Sequence, residues 1–458
     1  TILSYFTNSQ GFFYRPGTRS YFFLAYPIFE LFPLPFHVVD LLLHISASIL
    51  VLFIARKLLK SSVFGFIAGL LFLTLSVHAE AVYWSSVTGH MVTTNLLLLS
   101  FLSFVYWRDT KRVFLFFISV LGTFFSMFFH EFGTTGPILL IAYDLIVSGK
   151  QTLKKPLHKW YYLILLLPIG IYYYMRVASH SVWFQGDYSY NLSKLPFNII
   201  GNLFGYVMIT IIGPVFMPIY ANLRLQAAHS LVISGIILVL IAAGIVGLLM
   251  KYAKMITATE RGFLLTSLAL FVIPLLPFLG LGNITPRYVY TGSAGIVLIM
   301  AYLLKKLSMR IRKQVVASIV VVLIVGVYIF GQIIQLQKIN KDWQKAGEIT
   351  NNFLVSLNTA YSQPGSLPKQ PTFYFINIPI KYGDAWVFPV GLPDALWFSF
   401  QNTPITVITN VSEKDANVKI QENKSAKAFK FDKDGTLLEL AIPTPTPTSK
   451  AKTNSYGK

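Results

Sequence analysis

Tyr14-Arg15-Pro16, His78-Ala79-Glu80, His90 and His130-Glu131 are set between hydrophobic runs such as Leu70-Leu-Phe-Leu-Thr-Leu75 and Phe114-Leu-Phe-Phe-Ile-Ser-Val-Leu121. Together they fill the stretch from Tyr14 to Asp144. A bilayer tolerates few ionisable side chains, so those gathered at its edge mark a site. The stretch therefore reads as membrane helices whose loops on one side carry a polar, catalytic face.

Working outward, apolar runs long enough to cross fall near 37–56, 62–78, 91–107, 112–129, 133–148, 159–175, 230–251, 262–281, 285–304 and 314–336. A crossing helix needs roughly 17–25 such residues. The aromatic, proline-flanked run 21–34 reads as an interfacial segment. The expected fold is an all-α polytopic membrane protein of about ten or more transmembrane helices, with a small C-terminal α/β soluble domain.

Composition agrees. Of 458 residues 54% are hydrophobic and only 12% charged, against about 25% charged in ordinary soluble domains. Aromatic residues make up 15%, and Tyr and Trp suit membrane interfaces. The net charge of +20 would suggest nucleic acid in a soluble chain. Here the basic residues sit in loops beside apolar runs, which favours anionic lipid and excludes a nucleic-acid partner. With no cysteine, disulfides, thiol catalysis and cysteine metal sites are excluded. The chain opens at Thr1 in loop-like sequence, so an N-terminal segment is expected ahead of it.

Basic loops set the orientation. Arg56 to Lys60, Arg108 to Arg112, Lys150 to Lys159 and Lys305 to Lys313 belong in the cytoplasm. The loops 79–90, 130–133 and 176–197 then face outward. Parity adds a constraint. If 198–222 were a simple span, Lys251, Lys254 and the basic loop 305–313 would face outward, against the positive-inside rule. A re-entrant hairpin or interfacial helix, broken near Gly213-Pro214, restores it. Its irregular backbone must then be buried in protein or line a cavity. Residues 1–36 and the C-terminal region fall outside.

Three regions follow. Residues 1–336 form the membrane domain and 337–441 an exported α/β domain, while the Pro/Thr-rich 442–458 is a disordered tail. Within the second, 340–360 reads as an amphipathic helix with Trp343, Ile349, Phe353, Leu354 and Leu357 along one stripe. Strands are expected at Thr372 to Asn377, Trp386 to Val390 and Ile405 to Ile408. Asn191, Asn283 and Asn410 head N-glycosylation triplets.

Several side chains could carry chemistry. Arg15, stiffened by Pro16, suits a phosphate, because its fork binds two oxygens at once; a snorkelling contact with headgroups is the plainer role. Glu80, at an apolar mouth, could act as base or orient another group. His78 could bind a hydroxyl or a phosphate, or the pair could simply cap a helix. His130 and Glu131 project about 100° apart on a helix and make no metal site alone. A divalent metal assembled across loops, with His90 contributing, stays open as a cofactor. His37, Asp40 and His44 share one helix face and suit a contact between helices. Arg287, in Pro286-Arg-Tyr-Val-Tyr290, could join Arg15 and Arg176 around a lipid phosphate, or form a structural ion pair.

The order of these pieces resembles the GT-C superfamily of polytopic glycosyltransferases. It runs Tyr-Arg-Pro, then His37-x-x-Asp-x-x-x-His44, His78-x-Glu80-Ala-Val-x-Trp84, Glu131 with Pro137 and Asp144 behind it, and Pro-Arg-Tyr-x-Tyr at 286–290. The likeness is greatest to the branch of dolichyl-phosphate-mannose-dependent protein O-mannosyltransferases and their bacterial relatives, and covers about 1–150 and 195–305. It implies an inverting transferase moving a sugar from a polyprenyl-phosphate donor to an acceptor hydroxyl on the outer face of a bacterial plasma membrane. Arg15 and Arg287 match the positions that hold the lipid phosphate. In that family the leading acidic residue lies in the first outer loop, after the first transmembrane helix, both of which would precede Thr1. Glu80 and Glu131 match later acidic positions and are the expected catalytic residues. Tyr14, Arg15, His78, His90, His130, Arg287 and Tyr290 are the expected substrate-binding residues. The usual Arg-x-Asp after the Trp loop is replaced by Thr88-Gly-His90, and the acceptor is left as protein or glycan. A transporter or flippase for lipid-linked sugars would share the arginines, and a non-enzymatic assembly protein would need none of them.

Overall fold

The computed structural model describes residues 2–8, 13–148, 160–181, 189–230, 256–361, 371–388, 391–400, 405–409, 411–423 and 425–440. The loop from Lys150 to Lys159, nearly all of the run expected at 230–251, with Lys251 and Lys254, Asn410 and the 442–458 tail lie outside them. The chain divides into two units, Thr1–Gln337 and Lys338–Lys458.

The first unit is helical. Its helices are α1 (Ile2–Thr7), α2 (Pro16–Phe29), α3 (Pro33–Leu59), α4 (Ser62–Thr74), α5 (Ala79–Tyr83), α6 (Thr88–Thr110), α7 (Val113–Phe129), α8 (Thr135–Ser148), α9 (Trp160–Ala178), α10 (Leu195–Ile211), α11 (Met217–His229), α12 (Ala258–Leu279), α13 (Ser293–Arg310) and the start of α14 (Gln314–Ala360). Among the described residues six helices are long and apolar enough to cross a membrane, or seven if the pair Ser62–Thr74 and Ser76–Tyr83, bent by 49°, is one broken span. These make the chain a membrane protein.

That is fewer than the ten or more expected. A helix rises about 1.5 Å per residue, so a crossing of about 30 Å takes some 20 residues. The runs at 112–129 and 133–148 became helices of 17 and 14 residues, and the run at 285–304 became α13, whose last turns carry Lys305 and Lys306. The expected interfacial run 21–34 holds the end of α2, a turn with Glu30 at φ 51°, and the start of α3.

The two ends of this bundle differ in chemistry. At one end Lys57 meets Asp109 at 2.5 Å, Arg108 meets Asp144 at 2.8 Å, Lys305 donates to the Leu59 carbonyl at 2.7 Å, and Lys306 pairs with Glu260. Asp144 also accepts hydrogen bonds from Tyr161 and Tyr162, closing α8 onto α9. These contacts join the C-terminal ends of α3, α6, α8 and α13 to the N-terminal ends of α9 and α12. The basic stretches 56–60, 108–112 and 305–310 thus share one end. The opposite end gathers the starts of α6, α8 and α13 and the ends of α4, α7 and α12.

The 198–222 stretch breaks at Gly213, where φ is 106°. A Cβ there would fall 2.2 Å from Gln335 Oε1 and 2.6 Å from Ser76 Oγ, so only glycine fits. The carbonyls freed by the break are met by α14: Tyr328 donates to Ile211 O at 2.9 Å and Gln335 to Ile212 O at 2.7 Å. Gln332 accepts from the Ser76 backbone N–H at 2.9 Å. Interrupted backbone at membrane depth needs such protein partners. Leu192–Ile211 is long and apolar enough to cross. Asn198, near its start, donates to Gly280 O at 3.1 Å beyond the end of α12, while Gly213, after its end, abuts Ser76 beyond the end of α4.

The second unit is α/β. β1 (Thr372–Ile376), β4 (Thr406–Ile408), β5 (Ala426–Phe431) and β6 (Leu437–Glu439) form a sheet ordered β4-β1-β5-β6, while β2 (Lys381–Tyr382) and β3 (Ala385–Trp386) form a separate ribbon. β1 is parallel to β4 and β5, and β6 antiparallel to β5. Alternation along β1 covers both faces. Phe373 and Phe375 pack with Phe353 and Leu357 of α14 and with Leu392 and Leu396 of α15 (Leu392–Ser399). Tyr374 and Ile376 pack with Ala416 and Ile420 of α16 (Glu413–Glu422). The expected helix over 340–360 is not separate from the last apolar run: one unbroken helix, Gln314–Ala360, contains both. Of the expected strand from Trp386 to Val390, Trp386 is in a strand and Val387 and Phe388 are not, while Pro389 and Val390 lie outside the described residues.

Candidate functional site

The end of the bundle opposite the basic loops carries two arginine–carboxylate pairs. Arg15, just ahead of α2, donates from Nε to Glu131 Oε2 at 2.7 Å, and Phe13 lies 4.0 Å below its guanidinium. Arg287 pairs with Glu80, whose Oε2 also accepts the Arg287 backbone N–H at 3.3 Å. The ring of Trp84 is 5.2 Å from that guanidinium and Tyr288 is 4.8 Å from it. Tyr288 in turn stacks on Phe278 with centroids 4.0 Å apart. In both pairs the glutamate is the deeper partner: the side chains of Arg15 and Glu131 are 25% and 12% exposed, and those of Arg287 and Glu80 are 14% and 8%. The carboxylates hold the guanidinium forks from below.

His90 and His130 lie between the pairs. Their rings are 5.0 Å apart, and His90 also packs against Phe132 at 4.4 Å. Arg15 Nη2 stands 3.1 Å from His130 Nε2. Arginine only donates, so this nitrogen carries the lone pair and the imidazole is neutral. Burial, reinforced by the charges of Arg15 and Arg287 and by His90, pushes the affinity of His130 for a proton well below its ordinary value. Both arginine charges act on His90 as well, so one electrostatic site includes all six residues. Both ring nitrogens of His90 and Oε1 of Glu131 are buried without a hydrogen-bond partner. Unsatisfied buried polar atoms are costly, and three of them are concentrated here.

No known protein family matches this chain, and comparison with curated proteins and with solved structures gives no match. The site is read from its own geometry.

His78 and Tyr290 stand one layer behind. His44 donates from Nε2 to Leu73 O at 3.1 Å, so its Nδ1 accepts the Tyr290 hydroxyl at 2.8 Å. His78 Nε2 is 2.8 Å from Ser293 Oγ, which donates to Tyr290 O at 2.7 Å. This buried network fixes the turn that carries Arg287, and it places His78 and Tyr290 behind that arginine. Tyr14 is also a support: fully buried, it donates to Phe6 O at 3.1 Å and receives Tyr172 on its own carbonyl at 3.1 Å. Arg176 is buried one turn after Tyr172 on α9.

Asp40 accepts from Ser85 at 2.8 Å and from Thr88 at 2.6 Å. Its carboxylate thereby ties α3 to the hydroxyls at the start of α6. His44 and Asp40 do face their neighbours as a contact between helices. Sequence reasoning missed Thr18, whose hydroxyl donates to Phe129 O at 2.7 Å and ties α2 to α7, and the part of Phe13 and Trp84 as rings beside the arginines. The signal for Phe13 was its place two residues ahead of Arg15; Trp84 carries no such local signal. Among the described residues no group of three or more His, Cys, Asp or Glu could hold a metal ion.

Proposed function

We propose that this chain is a membrane glycosyltransferase of GT-C type that moves a sugar from a polyprenyl-phosphate donor to an acceptor hydroxyl. The observation that carries the reading is the pair of arginines, each oriented by a deeper glutamate, on either side of the His90–His130 pair at one end of an apolar bundle. A polyprenyl-phosphate sugar brings an anionic leaving group to the bilayer edge. Two preoriented guanidinium groups aimed there stabilise the charge that develops as the glycosidic bond breaks. The acceptor, a protein or glycan hydroxyl, loses its proton to a carboxylate. Of the two glutamates, Glu80 spends both oxygens on Arg287, whereas Glu131 keeps one oxygen unpartnered. Glu131 is therefore the better base among the described residues, and Glu80 positions Arg287. The clustering of basic residues at the other end supports an outer-face site, since the positive-inside rule favours such residues on the cytoplasmic side.

The test is transfer of radiolabelled sugar from polyprenyl-phosphate donors by membranes containing the full chain, against Glu131→Gln and Arg287→Ala. Transfer abolished by either change, with insertion intact, supports the reading. Absence of transfer by the unaltered chain from any donor, combined with movement of the lipid-linked sugar across the bilayer, would replace it with a flippase.

A further inference from the structure

A second cation-lined cavity lies between α10, α11 and the segment that follows α12, with a volume of about 790 Å³. Its walls include Lys194, Phe197, Asn198, Tyr220, Arg224 and Asn283. Asn198 and Asn202 are one turn apart on α10, and Tyr220 and Arg224 one turn apart on α11, so the two pairs face each other. Arg224 donates to Asn202 Oδ1 and to Asn198 Oδ1, each at 2.6 Å, and to the Tyr220 hydroxyl at 2.8 Å. The asparagines are locked in turn. Asn198 Nδ2 donates to Gly280 O at 3.1 Å, and Asn202 Nδ2 to the carbonyls of Leu279 and Leu281 at 2.9 Å each. Flipping either amide would set N–H against guanidinium and C=O against C=O, so their orientation is determined.

This arrangement differs from Arg15 and Arg287 in one respect. Those arginines are neutralised by glutamates. Among the described residues Arg224 is held by neutral amides and a phenol, and no carboxylate lines the cavity. A guanidinium oriented by neutral groups keeps its full charge, and Lys194 adds a second at the same wall. The remaining walls mix the polar Ser189, Asn191 and Asn283 with apolar and aromatic residues, and Phe197 lies 5.7 Å and Tyr220 5.9 Å from the guanidinium.

We infer that this cavity is a second anion site, independent of the Arg15–Arg287 site, that takes a phosphate group through Arg224 and Lys194. The phosphate is that of a lipid headgroup seated at the edge of the bilayer or a free phosphate.

Photoactivatable phosphatidic acid, added to the full chain in mixed micelles and mapped by mass spectrometry, tests this. Cross-links are expected on the segments 194–198 and 217–225. Lys194→Gln and Arg224→Gln should each cut labelling about tenfold, the loss of one charge-assisted contact. Lys194 is exposed, so its variant keeps the fold even if Arg224→Gln loosens α11. Lys111→Gln, at the opposite end of the bundle, should change nothing. Competition by inorganic phosphate identifies a free-phosphate site; competition by unlabelled phosphatidic acid alone identifies a lipid site. Labelling elsewhere, or labelling that both variants leave intact, overturns the inference. Neither outcome depends on sugar transfer.

Discussion

Glu80 and Arg287, 207 positions apart in the chain, form an ion pair in which the carboxylate also accepts the backbone N–H of the same arginine. The pair joins α5 to the turn before α13, and it fixes both the guanidinium and the backbone that bears it. Arg287→Lys should therefore be costly despite keeping the charge. An ammonium lacks the planar fork and the stacking on Trp84 and Tyr288. Donor KM should rise by about tenfold or more, the worth of one charge-assisted contact, as read from initial rates against donor concentration.

Glu131 and Glu80 should separate kinetically. Glu131→Gln removes the proton acceptor and should lower kcat by about 10²- to 10⁴-fold, on top of the rise in donor KM that comes from loosening Arg15. Glu80→Gln frees Arg287 and should act mainly through KM. Equal effects of the two changes on kcat would refute this division of labour.

Gly89 sits where the start of α6 meets α2 and α7. A Cβ there would fall 2.2 Å from Thr18 Oγ1 and 2.9 Å from Phe129 O, and Thr18 is itself bonded to Phe129 O. Gly89→Ala should cost about 1–3 kcal/mol by overpacking, seen as a lower thermal midpoint in detergent. Thr18→Ala in the same chain should recover part of that loss, because it clears the nearer clash.

His130 predicts a pH dependence. Its folded state favours the neutral ring, so the unfolded chain binds a proton more readily. Stability from this source is present above about pH 6.5 and falls as the pH drops below it, by at most about 1.4 kcal/mol per pH unit. His130→Asn should flatten the thermal midpoint between pH 6.5 and 5. An unchanged slope would show that His130 is not held neutral.

Much of the helical framework was legible because lipid imposes simple rules. The apolar run at 37–56 sits inside Pro33–Leu59, and Gly213-Pro214 does break the chain between α10 and α11. The number of spans was less legible, since hydropathy does not show where a helix ends: α8 stops after 14 residues. At the site, the residue types announced themselves, but partners did not. Nothing local to Arg15 says that Glu131, 116 positions on, holds it, or that the Tyr14 hydroxyl is spent on Phe6. The Asn198–Asn202–Tyr220–Arg224 network was invisible for the same reason, because amides and a single arginine on apolar helices carry no pattern until the helices meet. β5 was missed because Ala426-Lys-Ala-Phe-Lys-Phe431 mixes charge into a strand whose burial depends on helices packed on both faces.

The most direct measurement is an experimental map of the full chain bound to a non-hydrolysable polyprenyl-phosphonate sugar. The phosphonate should lie between the Arg15 and Arg287 guanidiniums, with the anomeric carbon facing the unpartnered oxygen of Glu131 and the ring edge of His90. A phosphonate bound away from both arginines, or both Arg–Glu pairs closed with the analogue at the bilayer midplane, would refute the proposed site and point to lipid movement instead of transfer.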